Sequence, residues 1–154
     1  LLYGEFHENS KHTTRMPYMK PVYDVLEKNR GKVIYFDFWA RWCPPCLAEM
    51  EPLKQLRSKF STDDLIIYSI CVSEPKEQWE ECLNEYSLKN RGIECVHVTD
   101  YLGIDNYQKI RKQWKIDRMP YYVLINRKGQ IIDFGTAARP SNPQLVSRIE
   151  EAVK

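Results

Sequence analysis

Apolar positions along the chain alternate between two patterns. From Val33 to Trp39 (VIYFDFW) every side chain but Asp37 is apolar or aromatic. That is the signature of a strand covered on both faces. Leu65 to Val72 repeats it, and Glu94 to Val98 is shorter but strand-like. Between them the spacing becomes helical. Leu47, Leu53, Leu56 and Phe60 predict one helix running from the Cys43–Cys46 region to about Phe60. Trp79, Cys82, Leu83 and Tyr86 predict another within Glu74 to about Lys89. Tyr107, Ile110, Arg111 and Trp114 mark a third helix, and Pro21 to Asn29 a short one stopped by Arg30-Gly31-Lys32. Tyr121–Asn126 and Gln130–Phe134 read as an antiparallel hairpin turning at Gly129. Ser141-Asn142-Pro143 supplies an N-cap and an early proline for a last helix lined by Leu145, Ile149 and Val153. Strands alternating with helices, followed by a hairpin, indicate an α/β fold with a mixed sheet.

The polar, irregular stretch 1–16 breaks this pattern and reads as a linker or N-terminal extension, with Leu1, Leu2, Tyr3 and Phe6 available to dock on the body. A chain of 154 residues is one domain's worth, so 17–154 is taken as a single domain. The net charge of +2 and the lack of a basic run argue against nucleic acid or an anionic membrane surface as partner. No apolar stretch approaches a membrane span, so this segment is expected to make no membrane contact of its own. The start at Leu1 without Met suggests an excised domain or a processed product.

Candidate chemistry centres on Cys43-Pro44-Pro45-Cys46, between the first strand and its helix. Free N–H groups at a helix start stabilise a thiolate. Cys43, expected at the exposed start, is the candidate nucleophile, and Cys46, a turn inside, the resolving thiol. The two prolines have no N–H, so only Cys46 and its successors can donate to the Cys43 sulfur, and a moderate acidification follows. Cys71, Cys82 and Cys95 are expected as packing thiols, and with His7, His12 and His97 they show no zinc-ligand spacing. Asp37 has two readings: a strand-end residue reaching water, or a buried proton acceptor beneath Cys46 whose pKa desolvation raises. Glu49 lies three residues after Cys46 on the same helical face, either as a solvated carboxylate or as a second acid-base group. Trp42 is expected to be partly exposed as an apolar platform, with Trp39, Trp79 and Trp114 in the core.

The run Asp37-Phe38-Trp39-Ala40-Arg41-Trp42-Cys43-Pro44-Pro45-Cys46 resembles the active-site segment of the thioredoxin superfamily. Within it, the position of Pro52, the glutamate at 49 and the segment Met119–Ile131 are similar to the ResA/TlpA-type thiol–disulfide oxidoreductases. The resemblance covers roughly residues 25 to 153. It implies a thioredoxin-like fold: a central mixed β-sheet flanked by helices. Glu74–Val98 would form a helix-strand insertion between the second core strand and the following helix. It also implies a reductase of protein disulfides working through Cys43 and Cys46 without metal or organic cofactor. Asp37 matches the buried aspartate of thioredoxin, where many ResA/TlpA-type proteins carry a neutral residue. Pro120 would be the cis-proline opposite the cysteines, with Met119, Tyr121 and Trp42 lining the substrate groove. Implied partners are disulfide-bearing proteins, apocytochrome c among them, and an upstream thiol electron donor. The implied location is a bacterial periplasm or cell envelope, with a tether through a segment before Leu1. Two other readings stay open: a disulfide oxidase of the same fold, and a redox-inactive binding domain of a larger protein.

Overall fold

In the computed structural model, which describes residues 16–154, five strands form one mixed sheet. They are β1 (Val33–Trp39), β2 (Leu65–Cys71), β3 (Ile93–His97), β4 (Tyr121–Ile125) and β5 (Ile131–Gly135), in the order β3-β2-β1-β4-β5. β2 runs parallel to both β1 and β3, while the hairpin β4–β5 adds antiparallel to β1. The strand with the most continuous apolar run takes the centre, where all seven of its residues are buried. Asp37 therefore sits mid-strand, opposite Ser69 on one side and Tyr122 on the other.

The helices are α1 (Lys20–Lys28), α2 (Pro44–Ala48), α3 (Met50–Lys59), α4 (Lys76–Glu85), α5 (Val98–Tyr101), α6 (Ile104–Gln113) and α7 (Pro143–Ala152). A 3-10 turn, Pro17–Met19, leads into α1. One face of β1, carrying Ile34, Phe36 and Phe38, packs on α1 and α6 through Val22, Leu26, Ile110 and Trp114. The other, carrying Val33 and Tyr35, packs on α3 and α7 through Leu53, Leu56, Leu145 and Ile149. A third cluster closes the C-terminal end of β1, where Trp39 meets Cys43, Cys46, Met50, Cys71 and Cys82. In parallel sheets ligand chemistry gathers at such strand ends, and here the strand delivers the two cysteines to that place.

Several predicted boundaries change. The single helix from the cysteines to Phe60 is broken at Glu49, which has φ −90° and ψ 0° and ends α2 while capping α3. Pro52 is the cause: it has no N–H for the Ala48 carbonyl, and its ring would collide with that carbonyl in a continuous helix. The helix expected over Glu74–Lys89 is confined to Lys76–Glu85. It starts after Pro75 and stops at a Schellman turn, with Ser87 at φ 54° and the Leu88 N–H donating to Leu83 O at 2.9 Å, which drops Leu88 into the core. The short α5 carried no periodic signal. At α7 the cap is Asn142, whose side chain accepts from the Gln144 N–H, and Ser141 is left for other work. The helix-strand insertion is α4 with β3, and β3 lies at the sheet edge beside β2. Arg57, a buried guanidinium, braces the entry to β2 by donating to Leu65 O at 2.7 Å and Phe60 O at 2.8 Å, and reaches Gly92 O, just ahead of β3, at 3.5 Å. The expectations for the 1–16 extension, with Leu1, Leu2, Tyr3, Phe6, His7 and His12, fall on 1–15, outside the described residues.

Candidate active site

The Cys43–Cys46 pair is joined as a disulfide at the junction of β1 and α2. Cys43 is the N-cap of α2, and its sulfur accepts the Cys46 N–H at 3.3 Å. Pro44 and Pro45 occupy the first two helical positions, where a missing N–H costs nothing. Because α2 is a single five-residue turn, the local N–H dominates over any long helix dipole. Cys43 is not exposed as expected: in the disulfide it is 4% accessible, against 2% for Cys46. Both sulfurs pack in the cluster with Trp39, Met50 and Cys71, and Met119 leans against it. The N-cap hydrogen bond, rather than exposure, therefore separates the two thiols. The loop ahead of them is pinned by the Arg41 N–H donating to Ser73 Oγ at 2.9 Å, a hydroxyl that also meets Cys71 Sγ at 3.3 Å.

Asp37 shares its face of β1 with Tyr35 and Trp39, the face that α2 and α3 cover. The strand-end reading fails, since the residue is 4% accessible in the central strand. Burial pushes its carboxyl up to about 8, and the negative charge of Glu49 pushes the same way. Its Oδ1 has no hydrogen-bond partner among the described residues. Glu49 is half-buried at the α2–α3 break, and its carboxylate accepts the Ser141 N–H at 2.9 Å and the Ser141 hydroxyl at 2.7 Å. The proline-induced break thus orients one carboxylate of the pair, and the α7 cap region holds it. Ser141, Ser73 and Tyr122 were not picked out by their spacing: Ser141 lay within the Ser141-Asn142-Pro143 helix-start signal, Ser73 acts from the loop after β2, and Tyr122 gains meaning only through strand register.

The Met119–Pro120 bond is cis, as is Glu74–Pro75. Pairing of β1 with β4 ends at Phe38↔Tyr121, so Met119 lies just beyond the paired backbone. Trp42 is 69% exposed beside Cys43 and offers an open aromatic face. Tyr121 does not line a groove with it: its ring is buried in the α1/α6 core and its hydroxyl donates to Trp114 O at 2.7 Å. The first residue of a strand inside a two-sided sheet has its side chain committed to one layer. Trp39 and Trp114 are core, whereas Trp79 is only half-buried, against the His97 ring. Cys71 and Cys82 are buried, Cys95 partly so, and desolvation pushes all three thiols up, Cys95 to about 11. Among the described residues no group of three or more His, Cys, Asp or Glu side chains is placed to hold a metal ion.

Against known proteins, the sequence profile of the Redoxin family matches residues 20–153. The chain belongs to the Redoxin family. Among relatives of this Redoxin domain, the thiol-disulfide oxidoreductase ResA of Bacillus thuringiensis (strain Al Hakam) is 26% identical over 108 residues, covering 70% of this chain and 57% of ResA. The Redoxin chain thus spans little more than half the length of the curated relatives it matches. A Bacteroides vulgatus protein, given provisionally as a thiol-disulfide oxidoreductase, has a solution structure that superimposes with a TM-score of 0.64 at 32% identity, over 82% of this chain and 76% of that one. The thioredoxin domain of a Bacteroides vulgatus thiol-disulfide oxidoreductase gives a TM-score of 0.69 at 22% identity, over 84% of each chain, a likeness of fold. The mixed sheet and its flanking helices are thus thioredoxin-like.

Proposed function

We propose that this Redoxin domain reduces disulfide bonds in proteins by dithiol exchange. The observation that carries the reading is the Cys43–Cys46 disulfide at the head of α2, with the Cys46 N–H on the Cys43 sulfur. In the reduced enzyme the Cys43 thiolate attacks one sulfur of the substrate. The substrate S–S bond breaks, the departing thiolate takes a proton from solvent, and Cys43 is left in a mixed disulfide. Asp37, ionised, then accepts the proton of the Cys46 thiol. The Cys46 thiolate attacks Cys43 Sγ and expels the second substrate thiolate, so the substrate gains two electrons and the enzyme closes its own disulfide. An upstream dithiol protein returns those two electrons. No metal or organic cofactor enters the cycle. A single hydrogen bond to the Cys43 sulfur, with two prolines donating none, favours moderate acidification and so a reducing rather than strongly oxidising pair.

Trp42 and the Met119 backbone form the docking edge, where an extended substrate segment pairs with Met119 beyond the last β1–β4 pair. ResA-type relatives support a bacterial extracytoplasmic setting, with apocytochrome c as one candidate substrate. Among the described residues no helix is long and apolar enough to cross a membrane, so a tether would lie elsewhere in the protein. The test is turnover of a disulfide-bonded test protein with a dithiol regenerant. Cys43→Ser should abolish it, and Cys46→Ser should trap a mixed disulfide through Cys43 that mass spectrometry detects. Wild-type protein that does not turn over, together with a Cys46→Ser variant that traps nothing, would refute the reading.

A further inference from the structure

The buried face beneath the cysteines carries a second polar group that the cycle above does not use. Tyr122 stands directly opposite Asp37 in the β1–β4 register, so both side chains leave the same face of the sheet. Both residues are buried, and neither Asp37 Oδ1 nor the Tyr122 hydroxyl has a hydrogen-bond partner among the described residues. Buried polar atoms are rarely left so, and one enclosed water with two polar neighbours satisfies both at once. The adjacent tyrosine shows that this is not simply how the site treats a phenol. Tyr35 stacks on Tyr122 at 5.6 Å between centroids and 5° between planes, yet its hydroxyl donates to Ala138 O at 2.7 Å. Of two parallel rings, one is tied to the backbone and the other is free to serve the carboxyl.

We propose that Tyr122 is a positioning residue for Asp37, its hydroxyl and the Asp37 carboxyl holding one water between them under the cysteine pair. The inference rests on the oxidoreductase reading, in which Asp37 must be ionised to take the Cys46 proton. The water, oriented by Tyr122, donates to the ionised carboxylate and favours it over the protonated form. Other groups act on the same carboxyl. Glu49, from the α2–α3 break, raises it. Tyr35 on β1 and Cys95 on β3 sense its charge, and Arg139, from the loop after β5, faces Tyr122. Ser69, its β2 neighbour, has its hydroxyl engaged by Trp39 Nε1 at 2.9 Å. Among the described residues on this face, Tyr122 is thus the hydroxyl left to hold the water that donates to Asp37.

The experiment is a carbon-13 NMR titration of the Asp37 carboxyl with Cys43–Cys46 oxidised, which removes both thiols from the titration. Tyr122→Phe should move the Asp37 midpoint up by about half a unit to one unit, as loss of a hydrogen bond to the charged form requires. Tyr35→Phe, which cuts a bond to backbone, should leave it in place. In the unmodified protein the Tyr122 ring Cζ resonance should follow the Asp37 midpoint with a larger change than that of Tyr35, which senses the charge without sharing the water, a readout that needs no variant to fold. An unmoved or lowered midpoint in folded Tyr122→Phe, or a Tyr122 resonance blind to the Asp37 titration, overturns the proposal. Turnover of the test protein disulfide by the wild type is measured alongside. Its absence would sink the oxidoreductase reading while leaving the titrations to decide the role of Tyr122.

Discussion

Replacing Asp37 by Asn should stabilise the protein, and by an amount that depends on pH. In the native state burial and the Glu49 charge hold the Asp37 carboxyl at about 8. In the unfolded chain it titrates near 3.9, a gap of about four pH units at about 1.4 kcal/mol each. Between roughly pH 4 and 8 the native state keeps a proton that the unfolded state has lost. Stability therefore falls as pH rises through that window, and it is flat above the native midpoint. The accumulated cost above pH 8 is about 5.5 kcal/mol. Asn keeps the shape and never ionises, so the variant escapes the cost. The stability difference, variant minus wild type, should be small near pH 4.5 and grow to several kcal/mol by pH 8.5. With a urea m value of about 2 kcal/mol/M, that is a midpoint gain of about 2.5 M. The assay is urea unfolding of both oxidised proteins at pH 4.5, 6, 7 and 8.5, so that neither Cys43 nor Cys46 titrates. A difference of the same size at pH 4.5 and 8.5 would show that Asp37 is not held protonated, and the proton-acceptor role would go with it.

Three further outcomes follow from the same geometry. Glu49→Gln removes a negative charge that pushes Asp37 up, so the Asp37 midpoint should fall in a carbon-13 titration; a rise or no change contradicts the coupling. In the reduced protein Cys43 should alkylate first near neutral pH, because its sulfur receives the Cys46 N–H at the head of α2, while burial pushes up Cys71, Cys82 and Cys95. Site-resolved mass spectrometry after brief iodoacetamide treatment checks this, and equal labelling of Cys71 or Cys95 counts against it. Arg57→Leu leaves the carbonyls of Leu65 and Phe60 without their buried donor and should cost about 3 kcal/mol in urea unfolding, with a loss under about 1 kcal/mol as the contrary result.

The amino-acid pattern by itself determined the alternation of strands and helices, the central place of Val33–Trp39 and the redox pair at its C-terminal end. These rest on local periodicity and on a cysteine spacing that demands a strand-to-helix junction, and both are properties of neighbouring residues. The presence of Asp37 inside an apolar run was equally legible, because a carboxylate there needs a reason. Tertiary structure decided what surrounds it. Only strand register sets Tyr122 opposite Asp37, since a shift of one residue would turn that ring to the other face. Only the packing of α7 against the helix break brings Ser141 to Glu49, residues far apart in the chain. Tyr121 shows the same limit in reverse: it adjoins the cis-proline, yet strand alternation commits its ring to the α1/α6 core. Cys43 looked exposed because it begins a helix, but Trp39, Met50 and Met119 close over the disulfide. Local sequence chose the reacting atoms; the environment that sets their protonation comes from residues that only the folded sheet makes neighbours.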